Sequence, residues 1–186
     1  MSGRLRKPSV LISVSRPAPM RIPLRALRDV VAFVGQAEGV GIAEIDIAIV
    51  RGDEMASHNR RFLRHAGPTD VISFDLSDQQ RTDKRSSRRP ARAGGGIAGQ
   101  LIVCSDVAVR KAPLHQMTPQ QELLLYVIHG LLHLMGYDDV AVRAMAKMHA
   151  RQDELLREFL ARPVGASRTG RRGQRPKRTH KPRRTR

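Results

Sequence analysis

The sequence predicts an α+β domain: a small mixed β-sheet of about four strands flanked by about five helices. Three features carry that prediction. Short runs rich in β-branched residues recur up to Cys104, and apolar residues at helical spacing separate some of them. The last three helical segments then follow one another without a strand between them, which a regular βαβ alternation would not produce.

Ser9 to Val14 reads as the first strand. Pro23 to Ala37 repeats apolar residues at Leu24, Leu27, Val31 and Val34, the spacing of one helical face. Ala43 to Val50 sets Ile45, Ile47 and Ile49 on one face of a strand and Glu44 and Asp46 on the other. Glu54 to Leu63 is a predicted short helix, and Val71 to Phe74 and Leu101 to Cys104 are two further strands. Between those strands lies a basic segment, residues 77–99, with Lys84, Arg85, Arg88, Arg89 and Arg92 and a glycine run at Gly94 to Gly96. Loops of this length are usually functional or disordered, so it is read as a mobile basic flap, with a dispensable insertion as the alternative. Ser105 is placed to cap a short helix. A stronger helix starts at Thr118, where Thr-Pro-Gln-Gln supplies an N-cap, a proline in the first turn and Gln121 at the capping-box position. It runs through Leu123, Val127 and His133 to a stop at Gly136, and a last helix covers Val140 to Leu160.

These elements make one domain, residues 1–162. The tail, residues 163–186, carries ten Lys and Arg residues, no acid and almost no apolar side chain. Nothing there offsets the entropy of ordering, so it is expected to be disordered and to attract phosphates without regard to sequence.

A net charge of +17 and a pI near 11.5 require a polyanionic partner. Nucleic acid is favoured over an anionic membrane, because no basic segment forms an amphipathic helix with a broad apolar face. A single cysteine, Cys104, excludes an internal disulfide and fits a reducing cytoplasm. The apolar run Val10 to Val14 is shorter than the roughly 7–15 residues of a signal-peptide core, and no stretch approaches a membrane span of about 20 residues. A cytoplasmic protein without a membrane partner is expected.

The chemistry is concentrated in His129-Gly-Leu-Leu-His133-Leu-Met-Gly136-Tyr-Asp-Asp139. Residues four apart share a helical face, so the imidazoles of His129 and His133 converge on one point. Gly136 can turn the chain back through a left-handed conformation, and Asp139 then brings a carboxylate to the same place. Two imidazoles and one carboxylate leave a tetrahedral zinc ion one open position, the arrangement of a catalytic rather than a structural site. One Zn2+ per chain is therefore expected on this HxxxHxxxxxD pattern. Asp138 is the competing carboxylate.

Helix-borne histidine pairs that cleave peptides normally carry Glu after the first His as general base; this chain has Gly130. That argues against a zinc metalloprotease, and the basicity points to a phosphodiester substrate. A third reading is a non-catalytic RNA-binding ribosome assembly factor with a structural zinc.

From Val10 to about Leu160 the chain resembles the YbeY family of bacterial endoribonucleases. The likeness rests on Asn59 to Phe74, where Pro68-Thr69-Asp70-Val71-Ile72-Ser73-Phe74 matches a PTDVLSF-like segment, and on His129 to Asp139, which matches HGxLHLxGYDH. The resemblance implies a metal-dependent, single-strand-specific endoribonuclease acting in rRNA processing, including 16S rRNA 3′-end maturation, and in ribosome quality control. RNA, ribosomal subunits and ribosomal proteins are then the expected partners. Three departures stand out. The family's third ligand is normally His where this chain has Asp139. The family's functional Arg falls on Leu63, which leaves Arg64, one position on, as the candidate phosphate-binding residue, with Arg60 or Arg61 as substitutes. Gln100 replaces a common acid and receives no role. Asp70 reads as a turn or capping residue, and His58, His65, His115, His149 and His180 as exposed or hydrogen-bonded side chains.

Overall fold

The computed structural model describes residues 7–62, 67–77 and 96–162. Within them the chain runs β1 (Ser9–Val14), α1 (Leu24–Ala37), β2 (Ile42–Val50), α2 (Gly52–Phe62), β3 (Val71–Asp75), β4 (Ile97–Cys104), α3 (Ser105–Lys111), a 3-10 turn (Ala112–His115), α4 (Pro119–Leu134) and α5 (Val142–Leu160). The strands form one mixed sheet in the order β1-β2-β4-β3. β1, β2 and β4 are mutually parallel, and β3 runs antiparallel to β4 at the edge. The fold is α+β, as the segment pattern predicts.

The predicted register of β2 follows from its alternation: Ile45, Ile47 and Ile49 are buried, while Glu44 is exposed and Asp46 half-buried. β4 is longer than its apolar run suggested. Ile97 to Gly99, expected in the basic insertion, pair with β2, and Gly99 also pairs with β3, because the ladder satisfies their backbone whatever their propensity. The rest of the insertion, residues 78–95, lies outside the described residues, as does the tail from residue 163, so neither expectation of mobility is met by any structural observation.

Two helix starts separate cleanly. At α4 the capping box forms as the sequence implied: Gln121 N–H donates to Thr118 Oγ1 at 3.3 Å, and Thr118 N–H donates to Gln121 Oε1 at 2.8 Å. At α3 the expected cap is absent. β4 runs into the helix without a loop, so Ser105 is already helical, and its hydroxyl donates instead to Val50 O at 3.0 Å.

α4 is the central helix. Ten of its residues are buried, on every side, because α1, α3, α5, β3 and β4 all pack against it. Its core neighbours are aliphatic: Leu27, Val30, Val31 and Val34 from α1, Leu101 and Val103 from β4, and Met148, Leu155 and Leu156 from α5. Among the described residues no helix is long and apolar enough to cross a membrane.

Candidate metal centre

His129 and His133 lie one turn apart in the last part of α4, so their rings project from one face. The helix ends at Leu134, and Gly136 takes φ +88°, a conformation that favours glycine. The chain then reverses through Tyr137 and Asp138 before α5 begins at Val142, two residues later than the sequence suggested. Asp138 is occupied by this bend, its Oδ1 accepting from Val140 N–H at 3.0 Å. Asp139 is the carboxylate that reaches the imidazoles: its Oδ2 lies 3.6 Å from His133 Nε2 and 3.9 Å from His129 Nε2. The two Nε2 atoms are 3.1 Å apart, and one ligand atom from each of the three residues falls within 4.8 Å of the others. The structure therefore brings together the three residues that the sequence singled out.

The outer nitrogens identify the donor atoms. His129 Nδ1 lies 2.8 Å from Gln152 Oε1, and His133 Nδ1 lies 3.2 Å from the carbonyl oxygen of Tyr137. A proton on each Nδ1 satisfies both of these oxygens and leaves each Nε2 with a lone pair for a metal ion. Burial pushes the His129 imidazole below its ordinary pKa, Gln152 opposing in part and neighbouring His133 adding to the depression. Two unprotonated nitrogens facing each other beside a carboxylate repel unless a cation lies between them. The donor set thus fits a divalent metal ion.

The bend is itself anchored. Tyr137 Oη donates to Glu38 Oε2 at 2.9 Å, and Arg151 Nε donates to Glu38 Oε1 at 2.7 Å. Glu38, just past α1, thereby ties the segment carrying Asp139 to α5. Sequence reasoning missed Gln152, Glu38 and Arg151. Gln152 carried one usable signal, its place among the polar positions of an amphipathic helix packed on α4; Glu38 is too distant in sequence to have carried any.

Gly130 has a steric reason. A Cβ there would lie 2.8 Å from Leu101 Cδ2, 3.0 Å from Ser73 Oγ and 3.2 Å from Val71 Cγ2. Any side chain there forces Leu101, Ser73 and Val71 to shift, which disfavours at this position the glutamate that serves as general base in helical zinc proteases.

The remaining candidates fall elsewhere. Arg64 lies outside the described residues, with His65 and His180. Arg60 donates to Ser57 Oγ, and the Arg61 guanidinium lies 5.4 Å from the centre of the Phe62 ring. Asp70 is engaged locally: its Oδ1 accepts from Val71 N–H at 2.9 Å and from Thr69 Oγ1 at 3.1 Å, and Lys111 Nζ approaches Oδ2 at 3.4 Å. Gln100 donates to Asp46 Oδ2 across the β2–β4 pair, and His115 pairs with the buried Glu122. The His149 ring centre lies 6.0 Å from that of His129, but His149 is not one of the three clustered residues.

A mixed sheet capped by a central helix, whose end and following bend converge two imidazoles and a carboxylate, defines a metallohydrolase-like α+β protein. Residues 21–160 match the family described as Endoribonuclease YbeY. The relative from Salinibacter ruber, Endoribonuclease YbeY, is 31% identical over 82% of this chain and 94% of its own length. That from Acidothermus cellulolyticus, of the same name, is 36% identical over 70% of this chain and 79% of its own. A Thermotoga maritima protein solved in solution shares the fold, with a TM-score of 0.52 and 23% identity over 81% of this chain and 88% of that one. The chain belongs to the YbeY family.

Proposed function

We propose that this protein is a zinc-dependent, single-strand-specific endoribonuclease of rRNA processing, including 16S rRNA 3′-end maturation and ribosome quality control. The observation that carries the metal-dependent part is the convergence of His129 Nε2, His133 Nε2 and Asp139 Oδ2 with both outer histidine nitrogens committed to acceptors. Membership of the family supports the RNA substrate, and a net charge of +17 supports a polyanion.

His129, His133 and Asp139 would hold the zinc, one per chain. When bound, such an ion polarises a phosphoryl oxygen and lowers the pKa of water. The protein's own residues do the rest. Gln152 and the Tyr137 carbonyl fix the ring orientations, and Glu38 holds the bend that carries Asp139. Arg64 is proposed to bind phosphate, with Arg61 as the described cation nearest to it in sequence. Residues 1–162 would form the catalytic domain, and the basic insertion and tail would raise the encounter rate with RNA in the cytoplasm, where ribosomal subunits and their proteins would be the partners. A closed structural zinc site normally has four protein ligands, and three cluster here among the described residues, which favours the catalytic reading.

Incubation of the purified protein with single-stranded and duplex RNA, its metal content measured, tests the proposal. Zinc-dependent cleavage of the single strand, lost in His129→Ala, is the expected result. Cleavage that survives both chelation and His129→Ala would remove this centre from the reaction.

A further inference from the structure

We propose that the exposed ring of Phe62 is a stacking platform for an unpaired nucleobase of the substrate strand, across the edge strand from the helix that carries the metal ligands. The inference builds on the endoribonuclease reading and specifies how such a strand would be held.

The chain has four Phe, two Tyr and no Trp, and its core is almost wholly aliphatic. Phe62 nevertheless stands 47% exposed at the end of α2. Its ring is held in a defined orientation. Phe74 meets it edge-on, with centroids 5.0 Å apart and planes at 73°. His58, one helical turn earlier, lies nearly parallel at 9°, with centroids 6.1 Å apart. The Arg61 guanidinium sits 5.4 Å from the ring centre. An oriented, exposed aromatic ring with a guanidinium over it is a combination that proteins use on single strands: a base stacks on the guanidinium, or takes its place on the π-face while the cation turns to the backbone.

Position makes the platform distinct from the metal centre. β3 is the edge strand, and successive residues along it point to opposite faces. Phe74 supports the Phe62 ring on one face. Ser73, on the other, donates its hydroxyl to the carbonyl of Gly130, the residue after His129. The ring therefore lies on the face of the sheet opposite α4, and the edge strand β3 separates it from the helix that carries the metal ligands. Duplex RNA, with its bases already stacked on one another, has no free base to offer.

The absence of native tryptophan supplies the test, because Phe62→Trp places a single indole at the platform. Metal-free protein, which cannot turn over the substrate, is titrated at constant ionic strength with an oligoadenylate and with an abasic oligomer of the same length. The expected results are quenching of the indole by the oligoadenylate alone, and about tenfold weaker oligoadenylate binding by Phe62→Leu, with abasic binding unchanged. Phe62→Tyr, which keeps the ring, should stay near wild type, and thermal melts check that each variant is folded. Unquenched indole on oligoadenylate binding, or equal loss of both oligomers in Phe62→Leu, overturns the proposal. Cleavage by the zinc-loaded protein is read separately. Base-dependent quenching without cleavage sinks the nuclease reading and leaves the platform standing, whereas cleavage without quenching does the reverse.

Discussion

Gln152 should control metal affinity without touching the metal. Its Oε1 accepts from His129 Nδ1 at 2.8 Å, and the His129 side chain is only 19% exposed, so water is a poor substitute for the lost acceptor. Gln152→Ala leaves a largely buried N–H unpaired and frees the ring to place its proton on Nε2, the atom that faces His133. Loss of such an outer partner typically lowers metal affinity 10–100-fold, which is about 1.4–2.8 kcal/mol. The global fold loses less, because one hydrogen bond contributes about 0.5–1.5 kcal/mol net. Competition for zinc against a chromophoric chelator at fixed pH measures the first quantity and thermal melting the second. Gln152→Glu retains an acceptor at the same atom and should recover most of the affinity. Equal zinc affinity in wild type and Gln152→Ala, or equal weakening in the Ala and Glu variants, would refute the reasoning.

Four other perturbations have definite directions. Gly130→Ala drives a methyl against Leu101, Ser73 and Val71; overpacking of about 1–3 kcal/mol exceeds a helix-propensity gain of about 1 kcal/mol, so the melting temperature should fall, and a rise in calorimetry would contradict the packing argument. Asp139→His removes one negative charge from the metal site, which makes a coordinated water easier to ionise; its pH–rate profile should shift to lower pH than the wild type's, and coincident profiles would count against Asp139 as a ligand. For Asp70, burial raises the carboxyl pKa, but Lys111 and the hydrogen bonds from Val71 N–H and Thr69 outweigh it, and the group titrates below its ordinary range. A depressed folded pKa contributes stability above the unfolded value that is lost as pH falls through the folded one, so Asp70→Asn should cost about 1 kcal/mol at neutral pH and little in strong acid; a penalty independent of pH would rule the ion pair out as its source. Zinc at 100 times its dissociation constant should stabilise the wild type by about 2.7 kcal/mol and His133→Ala by much less, and equal shifts in the two proteins would place the ion elsewhere.

The residues most legible in sequence were those governed by local rules. The HxxxH spacing and Gly136 together predicted the converging imidazoles and the reversal after α4, because helical period and left-handed backbone are properties of a few consecutive residues. The Thr118 capping box was readable for the same reason. What escaped needed tertiary context. Ile97 to Gly99 have no alternating strand pattern of their own and are strand because β2 pairs along all three and β3 reaches Gly99. Ser105 has the right residue type for a cap but enters the helix too early to serve as one. Glu38 meets Tyr137 and Arg151 across 99 and 113 residues, a separation at which no periodicity speaks.

That same separation bears on what the metal is for. In a small zinc-nucleated domain the ligands hold together a chain that cannot otherwise bury a core. Here the core is formed by α1, α4, α5 and the sheet, from residues such as Leu27, Ile45, Leu101, Ile128 and Leu155, none of which is a ligand. The bend carrying Asp139 has its own fastenings in Gly136, the Tyr137–Glu38 hydrogen bond and Asp138. An ion bound by His129, His133 and Asp139 would therefore enter a scaffold already assembled, and its binding energy would not have to drive folding. With three protein donors, a tetrahedral ion also retains one position for a non-protein ligand. A preformed cradle with a vacant coordination position is organised for reaction, which is the physical basis for preferring the catalytic reading to the structural one.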